Sequence, residues 1–168
     1  VLQIGKTPIV VNDSRGFFTS RTFGTFVMEG CAMLAEGIPA PVIENAALAA
    51  GMPVGPLAVL DETSLSLALH VAEQTKADLA AEGRSYVAPP GEQVVERLVK
   101  EFKRPGRAGG GGFYDYPADG PKGLWPELKR FYEKPGKRYD MQELKDRFLY
   151  RQSLEAARCL QEGVLTSE

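Results

Sequence analysis

The chain has 168 residues, a formal net charge of −2 and 43% hydrophobic residues. This is room for one domain with a real core, or one domain plus a remnant, built from an ordinary globular composition. The charge balance excludes a basic nucleic-acid footprint, no apolar run is long enough to span a membrane, and the opening Val-Leu-Gln-Ile-Gly-Lys lacks the charged, apolar and cleavage regions of a signal peptide.

The start, without Met, reads as a cut piece of a longer protein. β-branched residues around Thr7-Pro8-Ile9-Val10-Val11 predict a strand over 1–11. One strand is not a sheet, so it needs partners from elsewhere. From about Phe18 to Glu36 the pattern turns helical, with Phe23, Phe26, Val27 and Leu34 on one face. Gly30 in that stripe would admit a second helix at close range, and Gly37 stops the helix. A second helix is expected over 40–50, with Pro41 tolerated in its first turn. Met52-Pro53-Val54-Gly55-Pro56 is a rigid connector. A third helix runs from Leu57 or Asp61 to Ala81, and a fourth from about Gly91 to Phe102 with Val95, Leu98, Val99 and Phe102 as its stripe. Gly109 to Gly112 reads as flexible backbone, and the aromatics Phe113-Tyr114-Asp115-Tyr116 fold the loop back onto the helices. A short amphipathic piece covers Trp125 to Tyr132. The last helix, about Asp140 to Glu162, carries Met141, Leu144, Phe148 and Cys159 on one side and Leu149, Leu154 and Leu160 elsewhere. Apolar residues on several sides predict burial on several sides.

Few residues advertise chemistry. The glycines at 109–112 lack the preceding strand and following helix of a dinucleotide loop, and the chain has no G-x-G-x-x-G. His70, the only histidine, lies off the main stripe of its helix and reads as a surface or flanking residue. No spacing of carboxylates around it predicts a metal site. Cys31 and Cys159 read as free, buried thiols. Residue spacing by itself reaches only a soluble, mainly helical domain.

A resemblance reaches further. Lys6-Thr7-Pro8-Ile9-Val10-Val11-Asn12-Asp13 with Gly16-Phe17-Phe18 and Arg21 is similar to the 3-hydroxyacyl-CoA dehydrogenase family, at the passage from its Rossmann domain into its helical C-terminal domain. Gly51-Met52-Pro53-Val54-Gly55-Pro56 followed by Leu60-Asp61 is similar too, as is Gly112-Phe113-Tyr114-Asp115-Tyr116. The resemblance covers about residues 5 to 117. Arg147-Phe148-Leu149 and Leu154 to Leu165 look like the start of a second copy of the same domain, as in the multifunctional fatty-acid oxidation proteins.

The resemblance implies a mainly α fold, a helical bundle like the C-terminal domain of 6-phosphogluconate dehydrogenase. Its expected division is a strand remnant over 1–13, the C-terminal dehydrogenase domain over 14–117, a linker over 118–139 and the truncated second copy over 140–168. It implies an NAD-dependent 3-hydroxyacyl-CoA dehydrogenase of fatty-acid β-oxidation, multifunctional with enoyl-CoA hydratase and cytoplasmic, in which this chain alone is inactive: NAD and the His-Glu catalytic pair belong to the missing Rossmann domain. No catalytic, cofactor or metal residue is expected in this chain. The expected acyl-CoA-facing residues are Ser20, Pro53 and Val54. Many family members have Asn where Ser20 stands, in a G-F-x-V-N-R run, and Ser20 either faces the substrate or caps the first helix. The family often has Pro in place of Arg15, and Gly-x-Asp in place of Ser64-Leu65-Ser66. The alternative from another class is a non-catalytic helical module for self-association, through apolar surface around Phe17, Phe18, Phe23 and the last helix.

Overall fold

A computed structural model describes residues 2–6 and 8–166. Seven helices carry the fold: α1 (Thr19–Glu36), α2 (Ala40–Ala49), α3 (Pro56–Thr63), α4 (Leu65–Ala81), α5 (Glu92–Lys100), α6 (Glu127–Tyr132) and α7 (Met141–Gln161). A two-stranded antiparallel ribbon, β1 (Tyr114–Asp115) and β2 (Gly123–Leu124), pairs Tyr114 with Leu124 and Asp115 with Gly123.

α1 is the central element, with α2, α3, α5, α6 and α7 packed around it. Its second half is apolar enough to be enclosed: Phe26, Val27, Cys31, Ala32, Met33 and Leu34 are all buried. Gly30 gives the expected close approach, because a Cβ there would stand 2.5 Å from Pro56 Cγ at the start of α3. Gly37 ends α1 with its N–H on the Leu34 carbonyl.

α7 runs antiparallel to α1. Near its start Arg147 donates to Glu29 and Glu36 of α1 at 2.6–2.8 Å, and near its end it meets the first turn of α1. Leu144, Phe148 and Cys159 are buried as the stripe predicted, and Phe148 packs on Phe26 with ring centroids 5.3 Å apart. Met141, Leu149 and Leu154 are exposed, so α7 is covered on one side only.

Three expectations change. The strand over 1–11 is absent from its described part: Leu2–Ile4 form a 3-10 turn and residues 8–13 are irregular, while Val1 and Thr7 lie outside the described residues. Ile9 and Val10 are exposed, and without a neighbouring strand their backbone has no ladder to join. The single helix over 57–81 is two helices, broken at Ser64, which takes φ +84. Its hydroxyl accepts from Leu67 N–H, while Leu65 N–H and Ser66 N–H turn to the Pro105 carbonyl. The second half of the glycine run is packed: Gly111 and Gly112 are buried while Gly109 and Gly110 are exposed, Gly106 and Gly111 form a bridge, and Arg104 donates to the Gly112 and Tyr114 carbonyls. The aromatics do fold the loop back, with Phe113 fully buried. Residues 118–139 contain β2 and α6, and Leu128 and Tyr132 sit in the core.

Candidate functional site

The passage into α1 is built from a tight turn and two braces. Gly16 and Phe17 take φ +81 and +49, which reverses the chain just before the helix. Phe17 N–H closes the turn on the Ser14 carbonyl at 3.0 Å. On one side Arg15 reaches the end of α4, donating to Glu82 at 2.7 Å with Asp78 at 3.6 Å. Arg15 therefore supplies by charge some of the restraint that proline supplies by its ring. On the other side Asn12 donates from Nδ2 to the Gly163 carbonyl at 2.7 Å and from its N–H to the Val164 carbonyl at 2.9 Å. Arg21 donates to Glu155 and Glu162 of the α7 end.

Ser20 is exposed in the first turn of α1, and no hydrogen bond of its hydroxyl is found among the described residues. It is not the helix cap. Phe18 holds the cap position, and no side chain bonds the free N–H groups there. Phe17 and Phe23 flank it, 51% and 37% exposed, while Phe18 is half-buried. Ser20, Phe17 and Phe23 are thus three exposed side chains within seven residues at the start of α1.

Pro53 and Val54 are exposed in the connector between α2 and α3. That connector meets α1 at Gly30, roughly 15 Å along the helix axis from Ser20 at 1.5 Å per residue. Among the described residues no hydrogen bond joins the two regions. The three expected residues do not form one pocket. A surface cavity of about 290 Å³ between α5 and α6, lined by Arg97, Phe131, Tyr132 and Lys134, contains none of them.

The most elaborate polar arrangement is buried, and residue spacing missed it. Asp61 is fully buried; Oδ1 accepts from Phe113 N–H at 2.8 Å, and Oδ2 from Tyr114 N–H at 2.9 Å and Tyr116 Oη at 3.1 Å. Glu44 Oε1 accepts from Leu57 N–H at 2.9 Å, and Oε2 from Tyr114 Oη at 2.7 Å. Glu44 thus caps α3 from outside that helix. Burial pushes both carboxyls up, against the hydrogen bonds that hold them down. Burial and the neighbouring carboxylates push the Tyr114 and Tyr116 phenols up as well. Two glycines make room: a Cβ on Gly112 would lie 1.9 Å from Asp61 Oδ1, and one on Gly55 2.3 Å from Glu44 Cδ. The sequence signal for the network is those glycines, since Gly55 stands in the Gly51–Pro56 connector and Gly112 opens the Gly112–Tyr116 segment.

This network is a structural lock. Its buried carboxylates accept from Leu57 of α3 and from the Phe113–Tyr116 segment that contains β1. Cys31 and Cys159 are free and buried, and burial pushes the Cys31 thiol up, away from the reactive thiolate. His70 is exposed. Among the described residues no group of three His, Cys, Asp or Glu side chains could hold a metal ion, and no helix is long and apolar enough to cross a membrane. Gly111 packs on Arg104 and Gly112 on Asp61 of α3, and neither a strand before the run nor a helix N-terminus after it supplies the frame of a dinucleotide loop.

Comparison with known proteins gives these observations a frame. The model of the 3-hydroxyacyl-CoA dehydrogenase C-terminal domain matches residues 16–116, from the turn glycine to the tyrosine on Asp61. The fatty acid oxidation complex subunit alpha of Shewanella baltica strain OS185 is 31% identical over 166 residues. That of Shewanella oneidensis is 32% identical over 165 residues. Each alignment covers 97% of this chain and 22% of the relative, so the chain spans about a fifth of the length of these relatives. The match beyond residue 116 includes α6 and α7. The motif set, the helical architecture and the family match agree: the chain belongs to the 3-hydroxyacyl-CoA dehydrogenase C-terminal domain family.

Proposed function

We propose that this chain supplies the acyl-CoA-facing helical domain of an NAD-dependent 3-hydroxyacyl-CoA dehydrogenase of fatty-acid β-oxidation. The parent is a multifunctional protein that also carries enoyl-CoA hydratase, and it works in the cytoplasm. The observation that carries the reading is the braced passage into α1, which leaves Ser20 exposed between Phe17 and Phe23. A hydroxyl offers the acyl-CoA a donor and an acceptor, and the rings offer apolar contact. Pro53 and Val54 border the acyl chain from the connector, apart from Ser20. NAD and the proton-transfer pair belong to the Rossmann domain of the whole protein. Residues 140–168 begin a second copy of the helical domain, whose first helix is α7.

The test compares this chain with the whole protein in acetoacetyl-CoA reduction followed by NADH absorbance. The whole protein turns over and the isolated chain does not. Turnover by the isolated chain would refute the division of labour; a whole protein without turnover would refute the dehydrogenase reading.

A second reading is a non-catalytic module for self-association. It is supported by exposed Phe17, Phe23, Leu67 and Val71, and by the uncovered side of α7 at Leu149 and Leu154. It requires a dimer or larger species in sedimentation; a monomer at high concentration refutes it.

A further inference from the structure

The end of α7 and the start of α1 each break a local rule. Arg21 places a positive charge in the first turn of α1, a turn that holds no acidic residue. Glu162 places a negative charge at the C-cap of α7. Each opposes the dipole of its own helix. The two placements become favourable only together, because the helices are antiparallel and the groups meet. Arg21 Nε donates to Glu155 Oε1 at 2.7 Å, and Nη1 to Glu162 Oε2 at 2.6 Å.

The face that makes this contact is continuous. Leu144, Phe148, Glu155, Cys159 and Glu162 recur at helical spacing along α7. The stripe is apolar where it meets the core and acidic where it meets Arg21. The Arg21 and Glu155 side chains are only 17% and 12% exposed, so solvent screens this pair less than it screens Arg15 with Glu82, both at least 40% exposed. Immediately after α7 the chain turns, and the Gly163 and Val164 carbonyls take the two hydrogen bonds from Asn12. One end of α7 therefore holds both ends of the passage.

We propose that the C-terminal end of α7 positions the substrate-facing turn of α1: Arg21, held by Glu155 and Glu162, sets the height from which Ser20 meets the acyl-CoA. Arg21, Glu155 and Glu162 are positioning residues, and none touches the reacting atoms. The planar guanidinium is required because two nitrogens reach two carboxylates at once; an ammonium on a flexible stem holds one geometry less firmly. This inference rests on the dehydrogenase reading above for its substrate, and on the contacts alone for the clamp.

The experiment uses the double variant E155Q/E162Q, with R21K as a second variant and E62Q as a control. Glu62 pairs with Arg107, outside the passage. In this chain, amide exchange at Asn12 and Thr22 is expected to speed up about tenfold in the double variant, with the amides of the α1 centre unchanged. In the whole protein, kcat/KM for acetoacetyl-CoA is expected to fall about fivefold while KM for NADH stays the same. R21K falls between wild type and the double variant, and E62Q matches wild type in both measurements. Unchanged exchange overturns the clamp. Faster exchange with unchanged kcat/KM overturns the positioning role. A wild-type whole protein without turnover overturns the dehydrogenase reading and the substrate-facing role with it, and the exchange result then decides the clamp separately.

Discussion

Replacing Asp61 by Asn tests whether the buried carboxylate is held by its backbone donors. Both oxygens of Asp61 accept a peptide N–H, Phe113 at 2.8 Å and Tyr114 at 2.9 Å. Asn keeps one acceptor oxygen and turns an amide NH2 toward the other N–H, so a buried donor is orphaned. Such an orphan costs about 1–3 kcal/mol, and the facing NH2 is also left short of an acceptor, bringing the loss to about 3 kcal/mol. The Tyr116 hydroxyl recovers part of this by rotating to accept. In a chain of this size about 3 kcal/mol lowers Tm by roughly 6–12 °C. Glu44→Gln is the matched comparison. Its amide oxygen keeps Leu57 N–H, and its NH2 donates to a Tyr114 hydroxyl that now accepts, so the expected loss is below about 1 kcal/mol. Urea unfolding of both variants at pH 7, read as a shift in midpoint at unchanged slope, gives the difference. If Asp61→Asn costs no more than Glu44→Gln, the donor accounting is wrong.

Ser64→Gly should stabilise the chain by about 0.5–1 kcal/mol in thermal unfolding, because φ +84 strains any side chain and a glycine N-cap costs only a few tenths. Phe148→Ala should cost about 4 kcal/mol and lower the unfolding of the whole chain, since its ring fills the core against Phe26; separate melting of α7 with α1–α6 unchanged would contradict that packing. The pH dependence has two opposing parts. Arg147 and Arg21 hold the Glu36 and Glu162 carboxyls below the usual range, so their stabilisation is present above about pH 4.3 and is lost as pH falls through the lowered values. The Glu44 and Asp61 carboxyls are raised, so stability is lost as pH rises from about 4 through their raised values. Glu44→Gln removes one of the latter, and its stability relative to wild type should therefore improve between pH 4 and 7 in a series of urea titrations; a constant difference would refute the assignment.

The legibility of this fold followed the physical source of each element. Apolar periodicity marks α1, α5 and α7 directly, and a glycine just past the end marks α1, α2 and α7. The break between α3 and α4 was hidden because Ser64 is neither glycine nor proline, although the family's glycine at that place pointed to a special backbone. The β1–β2 ribbon has two residues per strand, too few for alternation to register. β-branched residues alone overpredict the N-terminal strand, because strand structure depends on a partner that composition does not contain. On α7, Leu149 and Leu154 looked like core residues, yet only the face toward α1 and α2 is covered.

The candidate site divides along the same line. Gly55, Asp61, Gly112, Tyr114 and Tyr116 carried much of the family resemblance, and the structure joins them in one buried lock with Glu44. Those motifs record how a loop is fastened to two helices, so they reveal fold more directly than chemistry. Glu44 itself was invisible because a lone carboxylate in a helix reads as solvent-facing until its distant donors are known. The Gly16–Arg21 passage differs: its turn glycine and Arg21 were legible, but their purpose was not, since Glu155 and Glu162 lie more than a hundred residues away. Ser20 is exposed where the lock residues are enclosed, and no packing requirement explains a hydroxyl there. The proposed substrate contact at the passage is therefore a question for turnover measurements, and the buried Asp61–Glu44 network one for unfolding measurements.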